Sequence, residues 1–238
     1  MPSKEMAFER IYLNRNMRKL FIYLCALGGI LALFPNQTWA NQIPIPHTSV
    51  ANNSEQHSQA EDLIRQVAAQ FTRLGDYTVY FMVRADQASV SGSYGVAGES
   101  YWLRLGEAEV FCDGKARYEV DHDRREVTIN PVQHQAHNLL DNPVHAFEFL
   151  CEEFDVVLKD QTPLEAILIL KPKAGRSMSE TQITVRVDRR TMRPKTMIYD
   201  YDGEQVEVQI LKVEKRNQPL KKFPQEGFRQ YETIDFRP

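Results

Sequence analysis

The spacing of apolar residues changes once along this chain of 238 residues. In the stretch 60–74, AEDLIRQVAAQFTRL, apolar residues recur every three or four positions, which predicts an amphipathic helix. Ser58 and Glu61 have the S-x-x-E spacing of a capping box, so we expect the helix to begin at Ser58. Gly75 and Asp76 mark its end. From Tyr77 onwards the period is close to two, which is typical of β-strands.

About eleven strands follow, most of them joined by short turns. Asp113-Gly114 and Asp202-Gly203 each separate two alternating runs, which is a strong hairpin signal. Asn142-Pro143 has the residue types of a helix start and predicts a second helix. The predicted strands are 77–83, 90–96, 100–105, 110–112, 115–120, 126–129, 154–158, 166–170, 183–187, 197–201 and 206–210.

A sheet of this size is not expected to stay flat, because open sheets beyond about ten strands twist and curl. The pattern therefore predicts an α+β fold, an incomplete (open) antiparallel β-barrel of about eleven strands with covering helices. Two helices are too few to fill the inside of such a sheet completely, which favours an apolar cavity. A densely packed interior is the alternative that periodicity leaves open.

One strand is apolar on both faces. Besides Tyr77, Val79, Phe81 and Val83 on one side, it carries Tyr80 and Met82 on the other. We expect one row to pack against the first helix and the other to border a second apolar surface. The predicted ligand-binding wall consists of Tyr80, Met82, Trp102, Phe147 and Leu150, and the alternative is that these five are ordinary core residues.

The N-terminal region has the composition of a secretory signal peptide. Arg18 and Lys19 precede a 15-residue apolar run, 20–34, which ends before the small-residue pattern Thr38-Trp39-Ala40. We expect cleavage after Ala40, with a possible upstream extension over 1–16, a flexible leader over 41–57 and a single folded domain over 58–238. An uncleaved membrane anchor is the alternative.

Removal of residues 1–40 leaves 24 basic and 30 acidic residues, a net charge of −6. Such a charge argues against nucleic acid as a partner. The secreted chain keeps Cys112 and Cys151, which are either a disulfide or two buried thiols.

The sequence offers no set of residues for catalysis. His134 and His137 are three apart, yet no nearby cysteine or carboxylate completes a metal site, and Asp200 with Asp202 belongs to a hairpin. We therefore expect a protein that is not an enzyme and needs no metal or cofactor. A locally basic set is expected to be a solvated face, with a docking patch as the alternative: Lys212, Lys215, Arg216, Lys221 and Lys222.

Several segments resemble the LolA family of periplasmic lipoprotein carriers, especially its divergent Bacteroidetes-type branch. These are YGVAGESYWLRLGEAEVFCDGKARYEVDHDRREVTINP over 94–131, VDRRTMRPKTMIYDYDG over 187–203 and FRQYETIDFRP at the end. The resemblance implies an open barrel with a helical lid and an apolar cavity for acyl chains. Carriers of the family have an Arg-Pro pair that helps to hold the lid, whereas here Arg104 precedes Leu105.

The same resemblance implies a function. It predicts a monomeric periplasmic carrier that takes the acyl chains of lipoproteins or related lipids from an inner-membrane donor protein to an outer-membrane acceptor. The alternative is a cell-envelope protein-interaction module with a packed interior and no lipid cargo, in which the basic C-terminal region docks the partner.

Overall fold

The computed structural model describes residues 50–86, 88–132, 143–144, 150–174, 181–201 and 204–238. Helix α1 spans Val50–Leu74, so it begins eight residues before the predicted start at Ser58. The predicted capping box is wrong because Ser58 lies inside α1 and not at its start. The Glu61 carboxylate lies 3.3 Å from Nε2 of His57 and 3.0 Å from Nη2 of Arg65, and such i,i+4 pairs stabilise the interior of a helix. The predicted leader is therefore helical from Val50.

Twelve strands form one sheet, and its fold class is the one that the sequence predicts. The order is β12-β6-β5-β4-β3-β2-β1-β11-β10-β9-β8-β7, so β12 and β7 are the two edges of an open sheet. The strands are β1 (Tyr77–Ala85), β2 (Ala88–Ala97), β3 (Ser100–Leu105), β4 (Ala108–Cys112), β5 (Ala116–Asp121), β6 (Glu126–Pro131), β7 (Phe154–Gln161), β8 (Glu165–Pro172), β9 (Thr181–Asp188), β10 (Arg193–Tyr201), β11 (Glu204–Lys215) and β12 (Glu232–Asp235).

The eleven predicted strands are all present, and β12 is the additional one. It pairs with β6 in parallel, whereas the other pairs among the described strands are antiparallel. Because β12 has four residues and three of them are exposed, its alternation is too weak to separate it from a loop.

The Asp113-Gly114 hairpin is confirmed between β4 and β5. Oδ1 of Asp113 accepts hydrogen bonds from the backbone N–H groups of Lys115 and Ala116 at 2.9 and 2.8 Å, and Gly114 has a φ of 82°. Asp202-Gly203 lies outside the described residues. The second helix appears there only as α2, Leu150–Glu153, because most of the segment after Asn142 is likewise outside them.

The two faces of the sheet differ in what covers them. We call the face of Tyr77, Val79, Phe81 and Val83 the inner face, since α1 packs on this side, mainly against β7. The apolar stripe of α1 joins this core through Ala60, Leu63, Ile64, Val67 and Phe71. No helix of the described segments is long and apolar enough to cross a membrane.

Among the described residues, the outer face is covered only where the C-terminal segment 216–238 crosses it. This segment contains a 3-10 helix, Gln225–Phe228, and then joins the edge as β12. Its aromatic residues pack on the outer side chains of β3–β6 and form what we call the outer cluster: Trp102, Phe111, Ala116, Tyr118, Val120, Val127, Ile129, Phe223, Phe228 and Tyr231.

The apolar side of the sheet changes from inner to outer at its β12 end. In β4, Val110 and Cys112 face inwards while Phe111 faces outwards, so both sides are apolar. In β5 and β6 the inner positions are polar, and Nδ2 of Asn130 donates to Glu119 at 2.9 Å. The apolar inner surface therefore ends at β4.

Candidate functional site

Tyr80 and Met82 lie on the outer face, away from α1. Their cross-strand neighbours are Ser93 and Lys212 for Tyr80, and Ser91 and Gln209 for Met82. Tyr80 is 40% exposed, with the ammonium group of Lys212 5.7 Å from its ring centroid. The expectation that these two side chains border an apolar surface is wrong, because their neighbours are polar and Tyr80 is open to solvent.

The other predicted wall residues do not join them. Trp102 belongs to the outer cluster, where Nζ of Lys221 lies 4.8 Å from its ring centroid. Leu150 is buried in the inner core, on the opposite side of the sheet, and Phe147 lies outside the described residues. The structure thus separates residues that the sequence interpretation placed on one surface.

The structure describes the side chain of one of the two cysteines. Cys112 is a buried free thiol on the inner face, and burial raises its pKa, while the side chain of Cys151 lies outside the described residues. Cys112 is packed as a small apolar core residue, and the state of the Cys112 and Cys151 pair stays a prediction.

The candidate site is instead the inner surface, which continues from β4 to β7 on the side of the sheet where α1 packs. Strand parity builds it, because alternate residues of paired strands point to the same side of a sheet. Val79, Tyr94, Leu103 and Val110 are cross-strand neighbours in this order and are all nearly inaccessible to water. Beyond β11 the surface continues through these residues: Met197, Tyr199, Ile183, Val185, Leu168 and Leu170.

Tyrosine hydroxyls interrupt this apolar surface. Tyr94 is fully buried, and its hydroxyl is without a hydrogen-bond partner among the described residues. The Tyr77 hydroxyl donates to the carbonyl of Pro143 at 3.5 Å, and the Tyr199 hydroxyl lies 4.0 Å from Sδ of Met197. Burial, with smaller contributions from the hydroxyls of Tyr77 and Tyr199, raises the pKa of Tyr94 well above its usual value. Tyr94 is thus a neutral O–H donor.

Tyr94 is not among the residues that the sequence predicts for the site, because its strand is not apolar on both faces. The available signal is its parity in β2, which aligns Tyr94 with Val90 and Val96. Tyr101 of β3 has the same alternating relation to Leu103 and Leu105. Deciding that this row faces inwards requires the helix contact between Phe71 and Tyr77, whose ring centroids are 5.2 Å apart.

The outer face contains the only strongly buried carboxylate that the described segments show. Glu109 is 5% exposed, and Nζ of Lys221 lies 2.7 Å from Oε1 and Nε2 of His122 3.4 Å from Oε2. His122 also has Nδ1 3.0 Å from the Tyr231 hydroxyl. Burial alone would raise the pKa of Glu109, but the hydrogen bonds and charges of Lys221 and His122 hold it below its usual value.

This cluster changes the interpretation of the basic set. Lys221 holds the C-terminal segment to β4, and Arg216 donates to the Thr78 hydroxyl and to the carbonyls of Gln218 and Pro219. These two cations are structural, so they do not form the free docking patch that the sequence leaves open, whereas Lys212, Lys215 and Lys222 are exposed. Arg104 is also on the outer face and donates to the carbonyl of Gly106 at 3.2 Å.

The remaining candidate residues form no metal or catalytic arrangement in the part of the chain that the structure covers. Within it, no group of three or more histidine, cysteine, aspartate or glutamate side chains is placed to hold a metal ion. Oδ2 of Asp200 accepts a hydrogen bond from Nε2 of Gln205 at 2.9 Å. Asp202, His134 and His137 are outside the described residues.

Comparison with known proteins gives similarity in structure alone. No family model and no curated protein matches the sequence. An uncharacterized conserved protein from Thermus thermophilus matches 74% of this chain and 99% of its own, at 10% identity and a TM-score of 0.52. A LolA superfamily protein from Nitrosomonas europaea matches 71% and 96%, at 10% identity and a TM-score of 0.36. LprF from Mycobacterium bovis matches 69% and 97%, at 10% identity and a TM-score of 0.42. The chain shares its fold with the T. thermophilus protein.

Proposed function

We propose that this protein is a periplasmic carrier that holds the acyl chains of lipoproteins or related lipids between α1 and the inner face of its sheet. The observation that carries the proposal is the continuous apolar inner surface from β4 to β7, with the amphipathic helix α1 packed on it. The carrier performs no covalent chemistry and needs no cofactor. It acts as a monomer between an inner-membrane donor and an outer-membrane acceptor.

The energy of acyl burial supports this assignment. Each methylene taken out of water contributes about 0.8 kcal/mol, so a 16-carbon chain gains on the order of 10 kcal/mol. That gain is large enough to replace the contacts of a few α1 side chains with the sheet. The resemblance of 94–131 to the LolA family gives the same function on independent grounds.

Entry of a chain requires α1 to move away from the sheet, and its C-terminal end is suited to act as a joint. Gly75 ends the helix at a φ of 64°, where a glycine is favoured. The next residue is tied to the sheet, because the backbone N–H of Arg216 donates to the carbonyl of Asp76 at 2.9 Å. We therefore place the pivot at Gly75, with the N-terminal turns of α1 moving furthest.

The test uses delipidated protein and a palmitoylated peptide, with the same peptide lacking the acyl chain as control. We expect saturable binding of the acylated peptide alone, and mass spectrometry of protein purified from its own host should find a copurified lipid. Absence of both would overturn the proposal. That result would favour the interaction module, which the complete burial of Phe81, Leu103 and Phe154 supports, since a packed interior needs no cargo.

A further inference from the structure

The Tyr94 hydroxyl is a polar group inside an apolar core, with no partner among the described residues. Its surroundings are aromatic: the Tyr77 ring lies edge-on at 6.2 Å between centroids, and the Phe81 ring lies at 6.1 Å. Buried hydroxyls in folded proteins nearly always have a hydrogen-bond partner, since an unsatisfied one destabilises the fold. An unpartnered hydroxyl at the centre of the candidate site therefore suggests that its partner belongs to a ligand.

The chemistry of the site limits what that partner is. Tyr94 is a donor, because its raised pKa keeps the hydroxyl protonated, so the partner must be an acceptor. The other polar groups that influence it are the hydroxyls of Tyr77 and Tyr199, from β1 and β10. The Tyr77 hydroxyl donates to the carbonyl of Pro143, and burial raises the pKa of Tyr199, so neither brings a negative charge. A carboxylate brought here would lose its hydration, and the described residues that influence Tyr94 include no cation to compensate, so its burial is costly. A neutral carbonyl oxygen is the acceptor that fits.

We infer that Tyr94 anchors the ester or amide carbonyl of the bound acyl group, so that the protein selects carbonyl-linked chains over bare hydrocarbon and over free fatty acids. This inference rests on the proposed function and names the class of ligand for the same site. The hydroxyl fixes the depth at which the chain lies, with the methylenes spread over the apolar surface on either side. The Tyr77 and Tyr199 hydroxyls have neighbours of their own, the carbonyl of Pro143 and Sδ of Met197, so Tyr94 is the donor left for the ligand carbonyl.

The test compares three ligands of one chain length in the intact secreted chain: 1-palmitoylglycerol, its ether analogue 1-O-hexadecylglycerol, and palmitate at pH 8. Affinities are measured by displacement of a fluorescent acyl probe. The wild-type protein should bind the ester about five- to tenfold more tightly than the ether, as expected for one neutral hydrogen bond. Palmitate should bind more weakly than the ester.

Tyr94→Phe removes only the hydroxyl. It should bind ester and ether equally, with the affinity for the ether unchanged. Tyr80→Phe, on the outer face, is the matched control and should keep the preference. Because the hydroxyl has no partner among the described residues, unliganded Tyr94→Phe should melt at the same temperature as wild type or higher.

Each of the other outcomes contradicts one specific claim. Equal affinity of wild type for ester and ether overturns the role of Tyr94, while the carrier function stands. Palmitate binding more tightly than the ester overturns the neutral-carbonyl assignment, and a lowered melting temperature in Tyr94→Phe shows that the hydroxyl has a structural partner. Binding of none of the three overturns the carrier function together with the inference. If Tyr94→Phe does not fold, the affinities of the wild-type protein for the ester and the ether decide by themselves whether the site binds a carbonyl.

Discussion

The contact between Lys221 and Glu109 makes the strongest prediction about stability, because it joins residues 112 positions apart across the outer face. Replacing Lys221 with Met keeps the aliphatic stem but removes the charge. Among the described residues, Glu109 then keeps only His122, at 3.4 Å, as a hydrogen-bond partner, and its side chain is 7% exposed. We expect the C-terminal segment to lose its main polar attachment to β4.

The cost is estimated from two contacts. A charge-assisted hydrogen bond contributes roughly 1.5–3 kcal/mol when buried, and less here because the Lys221 side chain is 49% exposed. The cation also lies 4.8 Å from the Trp102 ring and 5.5 Å from the Phe111 ring, which adds about 0.5–1 kcal/mol. Together they predict a loss of about 2 kcal/mol in the free energy of unfolding, or about 4–8 °C in Tm.

The pH dependence separates this explanation from a simple packing defect. Since the folded-state pKa of Glu109 is depressed, its contribution is complete above the unfolded-state pKa and is lost as the pH falls through the folded-state pKa. Urea titrations at neutral pH should show the full difference between wild type and Lys221→Met, and the difference should shrink below about pH 4.

Lys222→Met is the matched control, because Lys222 is the adjacent residue and is exposed. It should change the free energy of unfolding by less than about 0.5 kcal/mol. Equal losses in the two variants, or a loss in Lys221→Met that does not vary with pH, would refute the assignment of the stabilisation to the ion pair.

Three further substitutions test the placement of other residues. Gly92→Ala would put a Cβ 2.4 Å from Cζ of Phe81. Urea titration should show a loss of about 1–3 kcal/mol in the free energy of unfolding, and the control Ser91→Ala should not show it. No loss in Gly92→Ala would mean that the Phe81 ring does not pack on Gly92. Ser58→Ala should change the stability by less than about 0.5 kcal/mol because Ser58 lies inside α1, whereas a loss near 1 kcal/mol would restore the capping box. Met82→Glu, on the outer face, should leave the circular dichroism spectrum unchanged and lower the free energy of unfolding by about 1 kcal/mol or less. Leu103→Glu, on the inner face, should prevent folding. The opposite result would mean that the inner and outer faces have been assigned the wrong way round.

Local features of the sequence account for most of the fold class. The period of two from Tyr77 onwards, the apolar stripe of 60–74 and the Asp113-Gly114 turn each act over a few residues, so they appear in the sequence as directly as in the structure. Eleven strands in succession are enough to predict an open, curled sheet, because sheets of that size do not stay flat. The end of α1 at Gly75 follows in the same way from the conformational freedom of glycine.

The inner and outer faces could not be assigned from alternation alone. A period of two is symmetric, so Tyr80 and Phe81 are equally good candidates for the core until one row is known to meet α1. The packing of Phe71 on Tyr77 decides this, and it places Tyr80, Met82 and Trp102 outside. Likewise, nothing near Glu109 in the chain shows that Lys221 neutralises it, and nothing near Tyr94 shows that its hydroxyl lacks a partner among the described residues. Such contacts depend on strand order and on which surfaces meet, which only the folded chain determines.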